Sequence, residues 1–328
     1  MLFRSLGGKA IIDEGVTITL NNGHLRIYGE LEMASGSLVD GNGNTGLHDE
    51  STGVLDMDGS SSLEIEGDLN FYGLLEAGPD SRIILDGNSS HTITGTSTPT
   101  FNSLFITSNP VVFDLTATIN DTLDAGGQDV SIATDKTLTL ADGSVTVISG
   151  GTWTRDGTLD IDPDSKILYT TSDQTVLTNI THGNLEHDGG TLSLISNFIV
   201  AGTVTNASGN FNASVQNVTA NGIVWNGGSV TTSQTWDIGT DGIDINGGTF
   251  VATSGSFTVA GDWDMTGSGT FDPGTGTVIF DVTNPQSIPS ASQAFSSVPT
   301  SNPASRVRLA DKFEIYPSGT LVLSYSSL

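Results

Sequence analysis

The sequence contains no cysteine, which excludes a disulfide framework, thiolate zinc sites and cysteine nucleophiles and leaves the cellular compartment open. Basic residues are scarce: 10 Lys and Arg stand against 37 Asp and Glu in 328 residues, a formal net charge of −27. Clustered Lys and Arg are what hold a phosphate backbone or an anionic membrane surface, so neither nucleic acid nor an acidic bilayer is an expected partner. No apolar run reaches the ~18 residues of a membrane span. Helical spacing is also missing; the nearest stretch, Ala291 to Ser297, is too short to persist alone.

What the chain does have is Ser, Thr and Gly, 122 residues of the 328, together with 36% hydrophobic residues dispersed in short alternating runs. Leu63-Glu64-Ile65, Leu138-Thr139-Leu140, Val145-Thr146-Val147, Leu159-Asp160-Ile161 and Phe257-Thr258-Val259 show the period of two that belongs to a half-buried strand. Turn signals separate such runs, as at Asn22-Gly23, Asp142-Gly143, Asn221-Gly222 and Asn246-Gly247-Gly248. These features predict an all-β chain.

Three blocks align with one another, at 73–93, 157–176 and 269–288: each runs from Gly through an apolar-acidic step and a turn into a three-residue apolar run, then a polar turn. A shorter pattern, an alternating strand closed by Gly and followed by another strand, recurs at 25–33, 63–71, 198–206 and 257–265. Self-similarity at this spacing predicts stacked units that bury their apolar sides on their neighbours. The expected fold is a parallel β-solenoid of short rungs without substantial helix, about 14 rungs at ~20–25 residues each; an array of β-sandwiches is the competing all-β answer. The expected division is N-terminal coils over 1–56 and a continuous solenoid over 57–328. Ile84, Leu168 and Ile279, the middle residues of the three apolar runs, are expected to point into a common lumen.

The segment FTVAGDWDMTGSGTFDPGTGTVIFDVTNPQSI at 257–288, and FNSLFITSNP at 101–110, resemble the repeats of large secreted and cell-surface β-helical proteins of adhesin type. Residues 1–56 follow that pattern less closely. The resemblance implies an extracellular structural or adhesive rod, part of a larger surface or secreted protein, with surface glycans or other surface proteins as partners and without catalytic residues or a cofactor. The opening Met1 to Ser5 reads as an artefact joined to a truncated reading frame, so a signal peptide is expected to lie outside this fragment. Two other β-helical roles compete: a carbohydrate-active enzyme, and a phage tail fibre or spike that would trimerise.

Few residues suggest chemistry. Asp160, Asp162 and Asp164 alternate beside a turn, as do Asp56 and Asp58, and oxygen-rich clusters of this kind suit Ca²⁺; the first three are the candidate metal ligands. Asp262 and Asp264 flank Trp263 on one strand, which places both carboxylates on one face and the indole in the core, so the pair is not expected to work on a sugar. His182 and His187 are expected on opposite faces of a strand, which would leave Glu186 without a metal-binding partner set. Asn-x-Ser/Thr triplets at Asn88, Asn120, Asn179, Asn206, Asn212 and Asn217 are formal glycan acceptors.

Overall fold

Short alternating strands cannot bury their apolar side alone, and the chain solves this by winding. In the computed structural model the strand Lys9–Ile12 pairs in parallel with Glu30–Met33, that strand with Val54–Met57, and that one with Leu74–Ala77. The successive partners Lys9, Glu30, Val54 and Leu74 are 21, 24 and 20 residues apart, one coil each. Thr17–Asn21, Leu38–Asn42, Ser62–Ile65 and Arg82–Leu85 stack likewise into a second face. His24–Ile27, Gly46–Asp49, Leu69–Phe71 and His91–Gly95 form a third. The protein is a parallel β-solenoid, about 12 turns in all rather than 14. The structure describes residues 9–280 except 171–172, 215, 233, 252–254, 266 and 273–276, and beyond them the strands Gln286–Ile288, Ala294–Pro299, Val307–Leu309 and Glu314–Val322. No helix occurs among the described residues, and Met1 to Ser5 and Ala291 to Gln293 lie outside them.

Contacts divide the chain into two units, Met1–Ser165 and Lys166–Leu328. The first has a mainly aliphatic lumen, with Phe71, Phe101 and Phe113 also fully buried: Leu31, Leu55 and Leu75 form one inward row, Val39, Leu63, Ile83 and Leu104 another, and Leu25, Leu47, Leu69 and Ile93 a third, all buried. Coils on both sides of residue 56 belong to the same sheets. One corner recurs in this unit. Its backbone closes four residues by hydrogen bonds such as Ser37 N–H to Ala34 O (3.0 Å), Ser81 to Gly78 (3.2 Å) and Ser144 to Ala141 (3.0 Å). The third residue has positive φ, supplied by Gly36 and Gly143 without steric cost and tolerated by Asp80 after Pro79, which is a type II turn. The serine that ends it is buried, and the Ser81 hydroxyl donates to the Gly78 carbonyl at 2.7 Å.

The second unit uses longer strands, Asn184–Ser193, Phe198–Ser214, Val218–Trp225 and Trp236–Ile245, paired in parallel with register shifts where the wall bends. Its lumen is aromatic. Phe211, Trp225, Trp236, Phe250, Phe257, Trp263 and Phe280 are fully buried, and edge-to-face contacts such as Trp225–Phe250 (5.2 Å) and Trp263–Phe271 (4.7 Å) knit successive coils.

Each aligned block holds two strands: Leu74–Ala77 with Arg82–Leu85, Thr158–Ile161 with Lys166–Thr170, Thr270–Asp272 with Thr277–Phe280. The expected facing of their apolar runs is inverted. Ile83 and Leu85, Ile167 and Tyr169, and Val278 and Phe280 are the buried residues, whereas Ile84, Leu168 and Ile279 face outward and are half-buried. A run of three apolar residues has two ends and one middle, so the wall buries the two ends and accepts one apolar residue outside.

Candidate functional site

Stacking in register brings outward side chains of successive coils to about 4.8 Å, so surface chemistry here is a matter of columns. Glu32, Asp56 and Glu76 form one column, and Asp40 and Glu64 belong to a second with Asp86 and Glu66 near it. Partial burial, then the carboxylates of Asp58, Glu76 and Glu32, raise Asp56 above the usual carboxylate range. Burial followed by Asp86 and Asp40 does the same to Glu64, and burial followed by Glu66 and Asp40 to Asp86. Glu30, Glu32 and Asp56 converge closely enough to share a cation, and Lys9 supplies one: its ammonium pairs with Glu30 at 2.7 Å and with Glu32. Hydrogen bonds to Glu30 and then Glu32 raise the Lys9 pKa.

The calcium candidates are only partly brought together. Carboxylate oxygens of Asp162 and Asp164 lie within 4.8 Å of one another and of Asp142, while Asp160 is not a member of the group. The reason is the coil. Asp162 and Asp164 sit in a corner that stacks on the corner holding Asp142, as the bond from the Asp162 amide to Leu140 O shows (3.0 Å), whereas Asp160 belongs to the preceding strand beside Thr139. The Asp164 amide already donates to Asp162 Oδ1 (3.0 Å). An all-oxygen donor set fits a hard cation.

His182 and His187 do not fall on opposite faces; both are buried in the lumen. Alternation restarts because the chain breaks between the strand Thr181–His182 and the strand Asn184–Ser193. They make no metal site with Glu186, whose carboxylate is outside on Lys166 Nζ (2.9 Å). His187 Nδ1 is 2.6 Å from Asn206 Oδ1, and Asn206 Nδ2 donates to Gly227 O at 2.6 Å. Asn206 is fully buried and is therefore no glycan acceptor in the folded chain; Asn88, Asn120, Asn179, Asn212 and Asn217 are exposed. Trp263 is fully buried between exposed Asp262 and half-buried Asp264.

A surface that sequence reasoning missed lies at the corner between the third and first faces of the first unit. Among the Phe, Tyr and Trp residues whose side chains are described, Tyr28 and Tyr72 are the exposed ones, at 39% and 37%. Between them in the stack lies the coil of His48 and Glu50. The His48 ring packs on Tyr72 (centroids 5.3 Å), its Nε2 is 3.3 Å from Glu50 Oε1, and Arg26 Nη1 is 3.7 Å from the same oxygen. Next to Tyr72 a cleft of about 310 Å³ opens where the first face stops at Leu74–Ala77, lined by Leu74, Leu75, Thr96, Ser97, Pro99 and Thr100. The overlooked signal was Ile27-Tyr28-Gly29 and Phe71-Tyr72-Gly73: in each a tyrosine follows a buried residue and precedes the corner glycine, so alternation turns the ring outward. No family model matches the chain, and neither a curated protein nor a solved structure matches it.

Proposed function

We propose that the chain is a structural and adhesive β-solenoid segment of a secreted or cell-surface protein, performing no catalysis, and that it holds neutral surface glycans at the Tyr28–Tyr72 corner. The observation that supports this most is the exposure of two tyrosine rings beside Arg26, His48 and Glu50 in a molecule whose other described large aromatic side chains are buried or half-buried. Sugar rings present an apolar face and a rim of hydroxyls, and exposed aromatic rings flanked by mixed donors and acceptors complement both. The first unit carries 25 of the 37 acidic residues against 6 basic ones, and this field disfavours anionic glycans.

Binding to a panel of immobilised neutral and acidic glycans tests the reading. Retention of neutral glycans, reduced about tenfold or more in Tyr28→Ala/Tyr72→Ala, is the expected result. Equal retention by the double variant, or turnover of a polysaccharide that disappears in Asp262→Asn or Asp264→Asn, contradicts it.

A further inference from the structure

Asp49 breaks the rule of the lumen. Its register partners in the coils before and after are Ile27 and Phe71, both buried and apolar, so a carboxyl group occupies an inward position of the third face. It is 0% exposed, and neither carboxyl oxygen has a well-formed hydrogen bond.

The surroundings explain how it fits. Two stacked corner glycines leave the space: a Cβ on Gly53 would come within 2.1 Å of Asp49 Oδ1, and one on Gly73 within 2.6 Å of Oδ2. The same two positions are crowded by backbone carbonyl oxygens, those of Ile27 and Glu50 around Gly53, and those of Gly53 and Glu50 around Gly73. Against these carbonyl oxygens the Gly73 amide is the donor facing the carboxylate, so the ionised group is poorly supplied with donors, while a protonated carboxyl brings one of its own. Other titratable groups near this corner, Arg26 and Tyr28 in the coil before, His48 and Glu50 in its own coil and Tyr72 in the coil after, are on the outer surface. Arg26 and His48 are engaged with the Glu50 carboxylate.

We propose that Asp49 is a proton-operated latch: as a neutral acid it completes the lumen row and closes the Glu50–Gly53 corner, and on ionising it leaves the lumen and opens that corner. Desolvation by burial pushes its pKa up to about 7, the Gly73 amide working against the shift and Glu50 with it. Between about pH 4 and about pH 7 the folded state therefore binds a proton that the unfolded chain has already released, so this group's stabilisation is fully present only below about pH 4. It is lost as pH rises from about 4 to about 7. Because Glu50 lies in the corner, the latch also governs the Arg26–Glu50–His48–Tyr72 surface.

The test compares wild type with Asp49→Asn and Asp49→Leu across pH 5 to 8, by denaturant unfolding and by amide exchange. Relative to Asp49→Asn, the wild-type unfolding constant of the first unit should rise with pH by up to about tenfold per unit, the signature of one proton. Corrected for the base catalysis that speeds exchange of every amide as pH rises, the protection of the Gly53, Val54 and Leu74 amides should fall between pH 5 and pH 8 in wild type and not in Asp49→Asn, and the Asp49 carboxyl carbon should titrate near neutrality by NMR. Asp49→Leu should resist unfolding better than wild type at pH 8. A pH slope shared by wild type and Asp49→Asn, or a carboxyl carbon that titrates near 4, overturns the proposal; should either variant fail to fold, the carboxyl titration decides alone.

Discussion

The two units wind the same coil with different materials. In the first, turns at Gly36, Asp80 and Gly143 punctuate strands of mostly three to five residues, and Leu, Ile, Val and Met fill most of the lumen, with Phe71, Phe101 and Phe113 among them. In the second, long strands bend through register shifts, Trp and Phe fill the lumen, and asparagines tie the outside: Asn197 Oδ1 accepts from the Asn217 amide, and Asn217 Oδ1 from the Thr235 amide, each at 3.2 Å. The parallel ladder dictates the wall. What lies inside and outside can then vary, provided each coil matches its neighbours, and the difference lies in where each unit is vulnerable: the second in its rings, the first in its charge.

Core truncation should show this most strongly. Trp236→Ala removes a ring that touches Phe211, Phe250 and Phe257, and about 3–5 kcal/mol of stability should be lost; Leu63→Ala in the aliphatic lumen should cost about 2–5 kcal/mol. Denaturant unfolding followed by far-UV circular dichroism and tryptophan fluorescence measures both. Equal and small losses would mean that the lumens are not packed as described. Asn206→Ala comes next. It strips His187 Nδ1 and the Gly227 carbonyl of their buried partner, an expected loss of about 1–3 kcal/mol that replacement of exposed Asn212 should not reproduce.

The smallest effect concerns charge. The first unit holds 25 acidic residues and the second 12, and the Debye length falls from about 10 Å at 0.1 M salt to about 3 Å at 1 M. The melting temperature of the first unit should therefore rise with NaCl by more than that of the second. Millimolar Ca²⁺ at matched ionic strength then separates screening from coordination at Asp142, Asp162 and Asp164. A further increment lost in Asp162→Asn identifies coordination; its absence leaves screening alone.

The architecture was legible in the sequence because alternation, turn dipeptides and block spacing are all consequences of one repeated backbone path. Facing was less so. Ile84, Leu168 and Ile279 show that a symmetrical apolar triplet does not declare which parity is inward; the flanking Arg82 and Asp86, which are exposed, do. His182 and His187 misled because parity was carried across a break in the strand. Asp160 was grouped with its neighbours in sequence, although a coil makes the residue 20 positions earlier the closer companion, as Asp142 is to Asp162. The outward turn of Tyr28 and Tyr72 was legible in local alternation, but their grouping with His48 into one surface, like the apolar row that Asp49 interrupts, depends on what lies one or two coils away.

The central claim is that neighbouring coils are parallel and in register, and the absence of cysteine makes it directly testable by crosslinking. Thr139 faces Asp160 in the first unit and Thr219 faces Asp237 in the second, each pair on adjacent strands, where the ~4.8 Å strand separation suits a disulfide. Thr139→Cys/Asp160→Cys and Thr219→Cys/Asp237→Cys should each oxidise to an intramolecular disulfide in the native state, while Thr219→Cys/Asp244→Cys, displaced along the strand, should not. Failure of both register pairs under native conditions, or equally fast closure of the displaced pair, would contradict the parallel solenoid.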